Sequence, residues 1–215
     1  MLPLTDAERA AVSRRVAEAE ARTGAQIVAA VVERSDSYPE LPWRAFALGA
    51  SAGSLVAVLA VALGPGLAVT HAALLVALGA LGAGALLALA AAFLPPVSRA
   101  LLDAPRAEGE VRQHAQGLFL RHELFCTRER VGVLLLASRL ERRAVVLADV
   151  GIEARTRPEE LQAVVTAMLP ALAGGRTAAA FAAGLDALEA LLAAKGLARG
   201  GGDELAGELV GEDRR

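Results

Sequence analysis

The chain has 215 residues, a mean hydropathy of +0.46 and a formal net charge of −2 at pH 7. That hydropathy is too high for an ordinary soluble protein, and the lack of basic clusters interleaved with aromatic residues argues against nucleic acid as a partner. Cys126 is the single cysteine, which excludes an intramolecular disulfide. The composition therefore predicts a membrane protein with a soluble part.

The first predicted elements are a helix and a strand. Thr5 precedes the helical pattern as its N-cap, and Glu8 stands three residues later as the capping-box partner. Thr23-Gly24 ends the helix, and Ile27 to Val32 then forms the continuous Val- and Ile-rich run of a strand covered on both faces. This strand requires partners from elsewhere in the chain, because a sheet needs about three strands to be stable in water.

A span without Asp, Glu, Lys or Arg follows, from Ala45 to Ser98. A helix that crosses a bilayer needs about 20 apolar residues, so this span has room for two. We predict helices from about Phe46 to Leu63 and from about Leu67 to Leu94, separated by the breaker Gly64-Pro65-Gly66. Helices joined by so short a turn form an antiparallel transmembrane hairpin.

The arginines around the hairpin predict its orientation. Lys and Arg are enriched on the cytoplasmic side of membrane helices, and the predicted turn carries neither. We therefore expect a multi-pass protein of the inner cell membrane of a bacterium, with the soluble domain and both termini in the cytoplasm. The flanking arginines are Arg34, Arg44, Arg99, Arg106 and Arg112.

The hairpin also contains a GxxxG pair, Gly49 and Gly53. Such a pair lets two helix backbones approach closely. It leaves two alternatives open, which are close packing inside the hairpin and dimerisation of two hairpins.

The elements after the hairpin complete the soluble fold. We predict an amphipathic helix from about Arg106 to Phe125 and two strands, Val131 to Ala137 and Ala144 to Asp149. Helices Pro158 to Ala173 and Thr177 to Lys195 follow. The first strand then pairs across the hairpin. We expect an α/β domain split between residues 1–45 and 97–197, a hairpin over residues 46–95, and a disordered tail over residues 198–215, which is Gly-rich and acidic.

Two segments carry a family resemblance: LTDAERAAVSRRVAEAEARTGAQIVAAVVERSDSY before the hairpin, and TRERVGVLLLASRLERRAVVLADVGI after it. Their order resembles the bacterial membrane-protein branch of the TPM domain family, also labelled TPM phosphatase. Similar bacterial members often read TGAEI, SLAE and ADEGI where this chain reads TGAQI, SRLE and ADVGI. The resemblance implies a three-layer α/β/α sandwich around a small mixed sheet, with divalent metal bound in some members and acid phosphatase activity in some plant members.

Three residues are candidates for chemistry. Asp36 follows the first strand and Asp149 the third, and two carboxylates in loops after strands could hold a divalent cation. Asp is equally favoured as a turn former at such positions. Arg130 precedes the second strand, where it could clamp a phosphate or form an ordinary surface salt bridge. Gln26 stands where similar sequences often carry Glu, which removes one acidic group.

Two further pairs have the i, i+4 spacing of ligands on one helix face. Glu110 with His114 and His122 with Cys126 resemble halves of zinc sites or of Cys/His nucleophile pairs. No third ligand stands at a diagnostic spacing, so the sequence predicts no zinc site here.

Two functions remain after this survey. The leading hypothesis is a membrane-anchored, TPM-like binding or assembly module on the cytoplasmic face, with the lipid bilayer and an unidentified membrane protein as partners. The alternative is a metal-assisted phosphatase that acts on phosphate monoesters. In that hypothesis Asp36 and Asp149 serve as ligands of a divalent cation or as acid/base groups, and Arg130 clamps the phosphate.

Overall fold

A computed structural model describes residues 4–64, 66, 68–196 and 210–212. The chain divides into two compact units. The first, here called the α/β unit, consists of Met1–Asp36 together with Pro105–Arg215. The second, here called the hairpin unit, is Ser37–Ala104. One unit is thus assembled from two separate segments of the sequence.

The described elements alternate between helices and short strands in chain order. They are α1 (Asp6–Thr23), β1 (Gln26–Val32), α2 (Glu40–Leu63), α3 (Val69–Phe93), α4 (Pro95–Leu101), α5 (Ala104–Arg121), a 3-10 turn (Leu124–Cys126), β2 (Gly132–Ser138), β3 (Arg143–Ala148), α6 (Val150–Glu153), α7 (Pro158–Ala173), α8 (Thr177–Ala194) and β4 (Val210–Glu212).

The strands form one mixed sheet in the order β3-β2-β1-β4. β1 runs parallel to β2, β3 runs antiparallel to β2, and β4 runs parallel to the last three residues of β1. The predicted α/β class with a small mixed sheet is confirmed, as is the pairing of the first strand with a strand beyond the hairpin. The predicted disorder of residues 198–215 falls outside the described residues except at Val210–Glu212, which form β4.

The ends of α1 follow from its sequence. Thr5 Oγ1 accepts the Glu8 backbone N–H at 3.2 Å, and Glu8 returns a carboxylate to the Thr5 N–H at 2.9 Å, which confirms the capping box. Gly24 ends the helix with φ of 67°, a left-handed conformation that glycine adopts without a Cβ clash. The chain then enters β1.

All seven residues of β1 are buried, as expected for a strand covered on both faces. Alternate residues enter two apolar clusters. Ile27, Ala29 and Val31 pack with residues of α1, α7 and α8, whereas Val28, Ala30 and Val32 pack with residues of α5. The period of two along the strand therefore divides the core of the α/β unit into two parts.

In the hairpin unit, α2 and α3 pack through their glycines. A methyl group at Gly53 would lie 2.6 Å from the Ala83 Cβ and still closer to the Gly79 carbonyl oxygen. One at Gly49 would lie 2.9 Å from the Ala83 carbonyl carbon. The structure thus uses the GxxxG pair for close packing of the two helices inside the hairpin.

Three described helices are long and apolar enough to cross a membrane by length and composition: α2, α3 and α8. Their most apolar windows are 11%, 6% and 39% buried in the same order. Most of the surface of α2 and α3 is therefore exposed, whereas α8 contributes Phe181, Leu185 and Leu188 to the core of the α/β unit. The protein is compatible with a membrane location through α2 and α3.

Candidate functional site

Asp149 and Arg130 form a paired ion bridge. Arg130 Nε donates to Asp149 Oδ2 at 2.7 Å, and its Nη2 donates to Oδ1 at 3.0 Å. The carboxylate is 4% exposed and the arginine side chain 48% exposed. This hydrogen bonding to the carboxylate raises the pKa of Arg130. Both carboxylate oxygens are therefore engaged with a fixed cation of the protein itself.

The backbone around this pair is unusually tight. Asp149 caps α6 by accepting the Val150 N–H at 2.8 Å, and Arg130 has φ of 56°, in the left-handed region. Gly151 donates its N–H to the Arg130 carbonyl at 3.0 Å, and a methyl group there would lie 2.6 Å from that oxygen. The glycine in ADVGI is thus required by the close approach of two loops, and Asp149 fixes those loops together.

Asp36 lies in a different environment. Its carboxylate is 3.6 Å from Arg106 Nη2, and Arg106 Nε is 3.8 Å from Glu110 on the same helix. A polar cleft of about 210 Å³ lies beside Asp36 within the α/β unit. Residues of α5 and of the segment after β1 line this cleft, among them Ser35, Asp36, Glu110, Gln113, His114 and Arg121.

The structure does not bring Asp36 and Asp149 together. Asp36 follows the carboxyl end of β1, where Val32 pairs with Ser138 at the end of β2. Asp149 N–H instead bonds the Gly132 carbonyl at the start of β2, at 2.8 Å. Because β3 is antiparallel to β2, its carboxyl end lies at the opposite edge, and a strand of this length separates the two ends by roughly 20 Å. The two carboxylates and Arg130 therefore do not form the single site considered from the sequence.

A divalent cation does not fit these donors. No group of three or more His, Cys, Asp or Glu side chains in the described part of the chain is arranged to hold a metal ion. Glu110 and His114 share the cleft with Asp36, but they do not complete a ligand set there. Gln26 donates to Glu20 Oε1 of α1 at 2.6 Å, which gives this departure from the TGAEI pattern a structural role.

Sequence reasoning missed a buried polar network at the carboxyl ends of β1 and β2. Glu141 accepts the Ser35 N–H at 2.9 Å and a hydrogen bond from the Ser138 hydroxyl, while the hydroxyls of Ser35 and Ser138 lie 3.2 Å apart. All three residues are buried. The signal was present in SRLE, where a Ser at the end of an apolar strand precedes a Glu by three residues. The network joins the turn after β2 to the segment after β1.

No protein-family model matches the chain, and no curated protein matches it. Among solved structures, the chain is similar to the NMR structure of BA42 protein from the psychrophilic bacterium Bizionia argentinensis sp. nov., with a TM-score of 0.58 and 14% sequence identity. The similarity covers 97% of this chain and 95% of that one. At this identity the likeness concerns the fold alone.

Proposed function

We propose that this chain is a membrane-anchored, TPM-like α/β protein that serves as a binding or assembly module for membrane proteins. In this proposal the α/β unit is a three-layer sandwich, the α2–α3 hairpin spans the inner membrane, and both termini face the cytoplasm. The observation that carries the proposal is the surface of the hairpin unit, whose apolar side chains point outward while its glycines close the interior.

The exposed surface of the hairpin is suited to lipid. Leu55 and Val56 of α2 are 61% and 66% exposed, and Leu78 and Leu86 of α3 are 69% and 70% exposed. Apolar surface left in water costs about 25 cal/mol per Å², and lipid removes that cost. Trp43, 74% exposed near the start of α2, suits the interface between bilayer and water. The arginines on either side of the hairpin favour the cytoplasmic orientation.

The charged groups of the α/β unit support a binding module over an enzyme. Arg130 and Asp149 neutralise each other, and Arg106 lies between Asp36 and Glu110. These contacts hold loops and helices in place. The phosphatase hypothesis assigned Asp36, Asp149 and Arg130 to one centre, and no contact of these residues favours that assignment.

Membrane anchoring is tested with two forms of the protein. The full chain should stay in the membrane after alkaline extraction, and a form with residues 46–94 replaced by a Gly/Ser linker should be soluble and folded, because loop closure costs little as length changes. Reporters active only in the cytoplasm should work at both termini. Release of the full chain by alkali, or activity at one terminus alone, would contradict the anchor and its orientation.

The binding function needs a separate test. A photoreactive amino acid placed in turn at exposed positions of the α/β unit should give adducts with membrane proteins in cells, and the same positions in the spliced form should lose them. In parallel, neither the full chain nor Asp149→Asn should hydrolyse a phosphate monoester with Mg²⁺ or Mn²⁺. Metal-dependent turnover that disappears in Asp149→Asn would favour the phosphatase instead.

A further inference from the structure

β3 is the outer strand of the sheet on the side away from β4. Its register with β2 and the Asp149 N–H bond to Gly132 fix which backbone groups face inward. In an antiparallel ladder these alternate, so Arg143, Val145 and Leu147 bond β2 while the N–H and C=O groups of Ala144 and Val146 point away from it. Within the described residues, the Ala144 and Val146 N–H groups have no backbone partner outside the ladder. An outer strand of this kind is a template for another extended chain.

A groove of about 140 Å³ runs along this outer strand. Helices α5 and α7 border it on the two sides, and its floor is apolar. Val146 is half-buried, Val165 is 9% exposed and Leu169 is 37% exposed, so the floor offers surface that a side chain could cover. Alternate side chains of an added strand would point toward this floor.

The rim of the groove is cationic. Arg143 is 33% exposed and pairs at 3.4 Å with Glu108, which is 60% exposed. Arg112 is exposed, and its guanidinium makes no hydrogen bond or ion pair with the residues that the structure describes. The rim thus carries two arginines against one glutamate. A second copy of the chain would bring the same arginines to the same rim, so charge disfavours self-pairing through this strand.

We propose that the β3 groove binds an extended segment of a partner protein in which apolar residues alternate with Asp or Glu. The segment adds a strand to β3 through Ala144 and Val146, its apolar side chains cover the floor, and its carboxylates contact Arg112 and Arg143. This inference deepens the proposed binding function and rests on it, since it states where and what the module binds.

The test uses the purified full chain in detergent and two fluorescent peptides, EVEVEVE and KVKVKVK. The glutamate peptide should bind, and the lysine peptide of equal length and apolar content should bind at least about tenfold more weakly because of the cationic rim. Hydrogen exchange should slow over residues 143–148 when the glutamate peptide is bound, because an added strand engages the outward N–H groups of β3.

Arg112→Glu is the main variant and Arg14→Glu its matched control. Arg14 is exposed on α1, makes no side-chain contact within the described residues and lies outside the groove. The two substitutions change net charge equally. We expect Arg112→Glu to weaken binding of the glutamate peptide by at least about tenfold, and Arg14→Glu by less than about twofold.

Three outcomes would overturn the inference: failure of the glutamate peptide to bind, equal losses in both variants, or binding without slower exchange in β3. The last would mean charge attraction without strand addition. None of them affects the extraction and crosslinking results, so the proposed function stands or falls separately. If self-pairing occupies the groove instead, the full chain will be dimeric in detergent and the peptide will not bind, which also overturns the inference.

Discussion

Helices α3 and α8 are both rich in Ala and Leu, yet they meet different surroundings. Their most apolar windows have hydropathies of 2.3 and 1.4, and both pass as membrane spans by length and composition. The window of α8 is 39% buried within the chain and that of α3 only 6%. Composition therefore identifies a helix that avoids water, but only tertiary packing decides whether protein or lipid replaces it.

The charges of the two helices show how that choice is encoded. α8 carries Asp186 and Glu189, and Arg15 of α1 bonds both, at 2.6 Å to Asp186. These contacts, with that to Glu189 the stronger, raise the pKa of Arg15. α3 has no Asp, Glu, Lys or Arg at all. A few ion pairs on one face thus distinguish the core helix from its hairpin counterpart.

The sharpest test of this comparison replaces one phenylalanine in each helix. Phe181 in α8 is fully buried, and Phe93 at the end of α3 is 77% exposed. Phe181→Ala should lower the free energy of unfolding of the α/β unit by about 3–5 kcal/mol, because it leaves a cavity. Phe93→Ala should leave it unchanged. Hydrogen exchange of β2 in the full chain measures both, and equal effects would break the distinction between the helices.

A smaller effect is expected for a methyl group added inside the hairpin. Gly53→Ala places its Cβ against the backbone of α3 and should cost about 1–3 kcal/mol through overpacking. Gly82→Ala is the matched control, since nothing lies within 4 Å of a Cβ at that position of α3. Trp43 is the sole tryptophan and lies in α2, so its fluorescence during thermal unfolding in detergent reports on the hairpin. Equal melting of both variants would contradict the proposed glycine packing.

Local signals predicted much of this fold. The capping box of α1 and the buried pattern of β1 are readable because each depends on residues close in sequence. The pairing of β1 across the hairpin was predictable because a lone strand must find partners. Direction was not, since parallel and antiparallel neighbours share the same apolar pattern. That uncertainty placed Asp149 beside Asp36, whereas the antiparallel β3 carries it to the opposite edge.

The polar contacts of the site were harder to predict for a related reason. The left-handed φ of Arg130 and its bidentate bond to Asp149 arise where two loops meet, and nothing in TRER signals either. The two groups lie 19 residues apart in sequence. A charged run gives the same pattern whether its members pair with each other, with solvent or with a ligand.

The role of Asp149 can be divided by two substitutions. Asp149→Ala removes the N-cap of α6 and should destabilise the α/β unit by about 1–2 kcal/mol. Asp149→Asn keeps a good capping side chain and should cost less, because only the ion pair with Arg130 is weakened. Chemical unfolding followed by hydrogen exchange of β2 gives both values. Equal losses would assign the stabilisation to the carboxylate charge, while the hairpin, monitored by Trp43, should not respond.

The smallest expected effect concerns the far end of α8. Glu160 near the start of α7 accepts Lys195 Nζ at 2.8 Å and the Arg157 backbone N–H at 2.8 Å. These bonds, led by that from Lys195, lower the pKa of Glu160 to about 2. A carboxyl group with a lowered folded pKa stabilises the fold above its unfolded value of about 4.3 and loses that contribution as pH falls toward its folded value.

Glu160→Gln should therefore lower the melting temperature of the α/β unit slightly at pH 7. The difference from the unchanged protein should shrink as pH falls from about 4.3 to about 2, because protonation then removes the same charge from Glu160 itself. Glu159→Gln is the matched control, since Glu159 is exposed and makes no side-chain contact within the described residues. If the melting difference stayed constant across this pH range, the contact between the ends of α7 and α8 would not depend on the carboxylate charge, and ion pairing would lose its place in the contrast between the core helix and the hairpin.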